Sequence, residues 1–178
     1  MPIVDEQHQK LFEMVNQIAE HLDSGHVDPR AVENSLDRLV DCAGQHFVDE
    51  EREMVHHQVD KRHQKLQRME HSAFVYDLNR LRSYADEGDL DDQYEEILKF
   101  AASWLIYHTL RTDQNMAMQV RAIKEGKSSE EAYDYAQTHP LSPQLYQKVL
   151  DAIVHLWTDA LRRIEHLEDR LKEKSPDH

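Results

Sequence analysis

His46 and Glu50 stand four residues apart in the run His46-Phe47-Val48-Asp49-Glu50. On a helix that spacing puts an imidazole and a carboxylate on one face, one turn apart, where both can reach one cation or one of a pair. The same face continues back through Ala43, Leu39 and Leu36, so both groups point at what ought to be a dry core. An ionised carboxylate without a partner is costly there. Three more histidines share the pattern. His8 precedes the stripe Leu11, Val15, Ile18, Leu22; His71 sits in Gln67, His71, Phe74, Leu78, Leu81; His108 follows Tyr94, Ile97, Ala101 and Trp104 or Leu105 and precedes Thr112. Asp113 comes five residues after His108.

A lone core-facing histidine is ordinarily a hydrogen-bonded structural residue. Four of them, one on each apolar stripe, with a Glu at i+4 and an Asp close by, point instead to a metal site, which bundle interiors build from such residues on facing helices. Mixed imidazole and carboxylate donors suit iron, manganese or zinc, and carboxylate-bridged positions favour a pair of irons. His108 and Asp113 differ by about 140° around an ideal helix. Both reach one site only if the helix widens locally, as in a π-bulge, or if the carboxylate reaches around. His21, His26, His56, His57, His139, His155, His166 and His178 read as solvated. His63 falls between the two classes: it lies on the third stripe, one turn before Gln67, toward the end of the bundle. Cys42 reads as a small buried hydrophobe.

Helical periodicity predicts the elements that must position these residues. The spans are 5–22, 29–57, 60–85 and 90–124, separated by Asp23-Ser24-Gly25, by a short turn and by Asp86-Glu87-Gly88. Pro29 suits a first helical turn. Four long helices with short connections imply an all-α, up-down-up-down four-helix bundle. Beyond Gly126 the character changes, giving domains 1–126 and 127–178. Ser128 and Glu131 have capping-box spacing and open a short helix to about residue 137. A last helix, from Pro143 to about residue 174, carries Leu150, Trp157, Ile164 and Leu171 at a with Ile153, Ala160 and Leu167 at d, the signature of a coiled-coil seam.

The 178 residues carry 21 basic and 35 acidic side chains, a net charge of −14. That balance argues against nucleic acid and against anionic membrane surfaces as partners. No apolar run approaches a membrane span, and no signal-peptide pattern opens the chain. The single cysteine fits a reducing cytoplasm.

Asp5-Glu6-Gln7-His8, His46-Phe47-x-x-Glu50-Glu51-x-x-Met54, His71-x-x-Phe74 and Trp104-x-x-x-His108-x-x-x-x-Asp113 together resemble the bacterial hemerythrin family over about residues 3–115. The resemblance implies a di-iron centre, two non-haem irons with an oxo or hydroxo bridge, that binds O2 reversibly. It makes Glu50 and Asp113 the bridging carboxylates, His8 and His46 ligands of the iron that takes O2, and His71 and His108 ligands of the other. It places Leu11, Phe47, Trp104, Leu105 and Thr109 around the O2 pocket, with a hydroxyl at Thr109 where the family usually has an aliphatic side chain. The family pattern on the third helix is His-x-x-x-His-x-x-Phe; here its first position is Gln67, an uncertain ligand, and the stretch between Glu50 and His71 is about two residues longer than usual.

Hemerythrin domains with such a tail resemble the N-terminal sensors of diguanylate cyclases and chemoreceptors. The expectation is therefore a cytoplasmic, homodimeric sensor, not itself an enzyme, that binds O2 or small anions such as azide and relays its state through the C-terminal helix to an output domain. A free-standing O2 carrier, a di-iron oxidase or peroxidase, and a purely structural dimerisation module follow in that order.

Overall fold

The computed structural model describes residues 2–23, 28–83 and 90–139, and these are helical with no strand among them. Four long elements follow one another: α1 (Pro2–Asp23), α2 (Pro29–His56), α3 (Lys61–Ser83) and α4 (Leu90–Tyr107). A π-helical turn, His108–Asp113, then leads into α5 (Gln114–Lys124), and a short α6 (Ser129–Thr138) closes the described chain. α1 packs on α2 and α4, α3 packs on α2 and α4, and α6 packs on α5. The compact unit that holds these helices ends at His139. The heptad helix, with His26, His155, His166 and His178, lies outside the described residues. No described helix is long and apolar enough to cross a membrane.

The ends of the helices are written locally. Asp28 caps α2, its carboxylate accepting from the Arg30 N–H at 3.0 Å, with Pro29 behind it in the first turn. Ser128 and Glu131 form the expected capping box on α6. At the end of α2, Gln58 N–H donates to Val55 O and Val59 N–H to Met54 O at 2.9 Å, the two bonds of a Schellman motif. Gln58 adopts φ 56° there, a left-handed conformation normally given to glycine. α5 ends with the same pair of bonds, but with Gly126 at φ 98°.

Each long helix buries the stripe expected of it. The main core gathers Leu11, Val15 and Ile18 from α1, Leu36, Leu39 and Ala43 from α2, Phe74 and Leu78 from α3, and Tyr94, Ile97, Ala101 and Leu105 from α4. A second, smaller cluster joins Met54 and Val59 to Met116 and Val120. On α2, α3 and the α4–α5 run, the polar residues of interest fall in sequence between these two apolar layers. Arg82 on α3 bridges Glu33 and Asp37 on α2. Two side chains depart from expectation. Cys42 is only partly buried and packs at the margin of the core. His57 is partly buried rather than solvated and lies 3.3 Å from Glu53.

A non-glycine residue in the left-handed region costs about 1–2 kcal/mol, and glycine's extra freedom in the unfolded chain returns roughly half of that. Gln58→Gly should therefore stabilise the protein by about 1 kcal/mol. Chemical denaturation would show a higher midpoint at unchanged slope; a lower midpoint would mean that the Gln58 side chain contributes more than its backbone costs.

Candidate metal centre

Four histidines and two carboxylates meet between the apolar layers. His8 comes from α1, His46 and Glu50 from α2, His71 from α3, and His108 and Asp113 from the two ends of the π-helical turn. His46, Glu50 and His108 are fully buried, with His71 and Asp113 each at 4 %; the His8 side chain is the most open of the six at 12 %. Two groups of donor atoms have the spacing to hold a cation: His8, His46, Glu50 and Asp113 form one, and Glu50, His71 and His108 form the other. Glu50 belongs to both. Its Oε2 lies 3.5 Å from His46 Nε2, 3.4 Å from His71 Nε2 and 3.6 Å from His108 Nε2. Asp113 also spans the two groups, with Oδ2 at 3.0 Å from His8 Nε2 and Oδ1 at 3.1 Å from His108 Nε2.

The π-helical turn resolves the geometry of His108 and Asp113. With i→i+5 hydrogen bonding the turn takes an extra residue, so residues five apart come round to the same side. The wider turn, and not a long reach by the carboxylate, brings the pair together. The price of the turn is a break in what periodicity predicts as one helix over 90–124.

Three of the imidazoles are oriented from outside. His46 Nδ1 lies 3.2 Å from Gln7 Oε1, His71 Nδ1 3.3 Å from Glu51 Oε1, and His108 Nδ1 3.0 Å from Glu70 Oε2. With each Nδ1 facing an acceptor, a proton belongs there and Nε2 faces the centre, the orientation that metal-binding histidines take; on His108, a second proton sits on Nε2 until a metal displaces it. The supports are themselves held. Gln7 donates to Asp49 at 2.8 Å, Arg68 pairs with Glu51 at 3.5 Å, and Thr112 Oγ1 donates to Glu70 at 2.7 Å. Phe47 stacks on His71 at 4.0 Å between ring centres and Trp104 on His108 at 4.3 Å.

The electrostatics are those of a site that wants positive charge. Burial holds the His46 imidazole down at about 4, against the pull of Glu50. Burial acts the same way on His108, but hydrogen bonds to Asp113, Glu50 and Glu70 outweigh it and push that imidazole up to about 11. Burial would raise Glu50, yet the imidazoles of His108 and His71 hold it well below the usual carboxylate range. A carboxylate field strong enough to keep a buried imidazole charged will equally favour a metal cation, which must displace that proton. Buried and without an aligned hydrogen bond, His8 Nε2, His46 Nε2, Glu50 Oε1 and Asp113 Oδ2 are available to a cation. The donor set fits a metal of the iron, manganese or zinc kind.

Gln67 is drawn into the same cluster. Its Nε2 donates to Glu50 Oε2 at 2.9 Å and to Asp113 Oδ1 at 3.0 Å. His63, one turn earlier, is 1 % exposed and so belongs with the buried histidines; burial lowers its proton affinity. Of the five residues expected around an O2 pocket, Leu11, Trp104 and Leu105 line a small apolar cavity together with Val15, Leu39, Ala43, Phe74 and Ala101. Phe47 turns to His71, and the buried Thr109 hydroxyl has no hydrogen-bond partner. The residues that sequence reasoning missed are the outer supports, Gln7, Glu51, Glu70 and Thr112. All four sit next to a residue of the centre in the chain, and that adjacency is the signal that could have found them.

An all-helical bundle with a buried cluster of histidines and carboxylates is a metal-binding bundle. Residues 2–120 match the hemerythrin HHE cation-binding domain, and the chain belongs to that family. No curated protein and no solved structure matches it.

Replacing Glu70 by Ala should free the His108 ring and weaken metal binding roughly 10- to 100-fold, read by chelator competition; unchanged affinity would show that Glu70 does not orient His108. In the metal-free protein His46 should impose a pH limb on stability. Its folded pKa lies below the ordinary 6.5, so its contribution is present above 6.5 and is lost as the pH falls toward about 4. The loss is of the order of 3 kcal/mol at about 1.4 kcal/mol per pH unit. Urea denaturation across that window should show it in the parent and not in His46→Phe.

Proposed function

We propose that this chain is a hemerythrin-type sensor of O2 or redox state that holds two non-haem iron ions in an up-down-up-down bundle. The observation that carries the proposal is the division of one buried cluster into two donor groups that share Glu50, with the two oxygens of Asp113 facing a histidine of each group. His8 and His46 would serve one iron and His71 and His108 the other, with both carboxylates common to the two. Such a pair, when bound, supplies reversible O2 binding and a change of oxidation state.

The chain's own residues supply the rest. Gln7, Glu51 and Glu70 orient the imidazoles. The cavity beside Leu11, Trp104 and Leu105 is apolar and no larger than about one water molecule, a lining that suits a small uncharged ligand better than water. Because the π-helical turn that carries His108 and Asp113 runs directly into α5, a change in what these side chains hold acts at the root of that helix. The heptads at 150–171 would pair two copies in parallel, and their helix would pass the state on to an output domain such as a diguanylate cyclase. The chain described is then a cytoplasmic binding module and not an enzyme. A di-iron oxidase or peroxidase is the second reading, favoured by one feature: an amide, Gln67, stands where the resemblance has a histidine.

The test is metal analysis with a visible spectrum on protein loaded with iron, before and after reduction, air and azide, together with sedimentation. Two irons per chain, charge-transfer bands that respond to azide and to reduction, and a dimer are expected. A chain without metal or bands would reduce the protein to a helical packing module. A metal-loaded monomer would remove the relay and favour a carrier.

A further inference from the structure

We propose that Gln67 is not a metal ligand but a clamp on the two carboxylates, and that His63 is the residue that holds the clamp in place. The proposal rests on the di-iron reading above for its consequence, but its geometry belongs to the protein alone.

An amide side chain offers donors at one end and an acceptor at the other. Gln67 Nε2 meets Glu50 Oε2 at 2.9 Å and Asp113 Oδ1 at 3.0 Å. Ionised carboxylates only accept, so the NH2 end alone satisfies both contacts. Reversing the amide would set Oε1 against two carboxylate oxygens. Gln67 Oε1 is therefore turned away from the carboxylates; it is buried and has no aligned hydrogen-bond partner. His63 stands one turn back on the same face of α3, at i−4, where side chains come within reach of each other. It is 1 % exposed, and neither ring nitrogen has an aligned partner. The neutral ring carries one N–H, and Gln67 Oε1 is an acceptor within reach of it on the same face of α3. Two buried groups that are each costly to leave unpaired stand at neighbouring positions, and each completes the other.

The consequence concerns the cation held by Glu50, His71 and His108. With Gln67 committed to the carboxylates, no fifth imidazole or amide oxygen among the described residues joins Glu50, His71 and His108. A position remains for a small exogenous ligand of the anionic class, azide being the probe.

The experiment is a double-mutant cycle on the whole chain. Gln67→Leu and His63→Phe, and the two combined, are compared by chelator competition for Fe2+ and by azide titration of the ferric protein, with folding checked by circular dichroism. Each single change should weaken Fe2+ binding roughly 10- to 100-fold, as the loss of an orienting partner does. The double variant should be no weaker than Gln67→Leu alone, because His63 acts through Gln67. His63→Gln, which keeps a donor, should recover most of the loss. The number of azide ions bound per chain should be the same with and without Gln67. Additive losses would overturn the role of His63. An extra azide bound by Gln67→Leu would make Gln67 a ligand and overturn the clamp. Should His63→Phe fail to fold, His63→Leu takes its place in the cycle. If the parent chain binds no iron at all, the metal reading fails, and the clamp is judged on thermal unfolding of the metal-free variants: coupled midpoints support it and additive ones overturn it.

Discussion

Two buried carboxylates govern this protein. Glu50 is fully buried and Asp113 nearly so, and anionic oxygens in such a place are tolerated only with positive charge or several hydrogen-bond donors around them. Four imidazoles, one amide and the widened turn that brings Asp113 into register can all be understood as answers to that constraint. In the metal-free protein the charge on His108 is one of those answers. Protons and metal cations then compete for the same field, so metal binding must be coupled to proton release. Because metal adds to the folded state and not to the unfolded one, the centre is also a source of stability that depends on metal concentration.

The outer contacts follow a rule around the bundle. Gln7 on α1 supports His46 on α2; Glu51 on α2 supports His71 on α3; Glu70 on α3 supports His108 at the end of α4. Each support stands beside a residue of the centre in its own helix. Successive positions on a helix are about 100° apart, so a neighbour of an inward residue sits at the rim of the buried face. From the rim it reaches the ring on the next helix and not its own. The centre therefore depends on helix–helix registration: a slip between two helices would uncouple a ring from its support as well as from the carboxylates.

Much of this was legible in the residues. The four stripes and the caps at Pro29 and Ser128 follow from local chemistry, and the outer boundaries they imply lie within about three residues of those seen. The inward placement of His46 and Glu50 follows from their i, i+4 spacing on the stripe that Leu36, Leu39 and Ala43 make apolar. Three things did not follow. The spacing of His108 and Asp113 left a π-helical turn and a long reach by the carboxylate equally open, and contacts that bear on the choice, to Glu50 and Glu70, come from other helices. The supports lie across helix interfaces, whose registration no single helix encodes. His63 lies one turn before Gln67 toward the end of α3, and its position on the stripe alone did not show that it is 1 % exposed.

The break in the fourth helix also bears on how the centre can communicate. An uninterrupted α-helix from Leu90 to Lys124 would put Thr112, four residues after His108, in the place of Asp113 and turn Asp113 aside, leaving Glu50 as the one anion at the centre. The π turn costs regular hydrogen bonding and gains a second carboxylate, with Thr112 still placed to donate to Glu70. It is held open by what its ends contact: His108 between Glu50 and Glu70, Asp113 between His8 and Gln67. A change in charge or ligation at either end alters the balance that keeps the extra residue in the turn. Among the described elements that is the place where a local chemical event has direct purchase on backbone geometry, and α5 and α6 follow it in the chain.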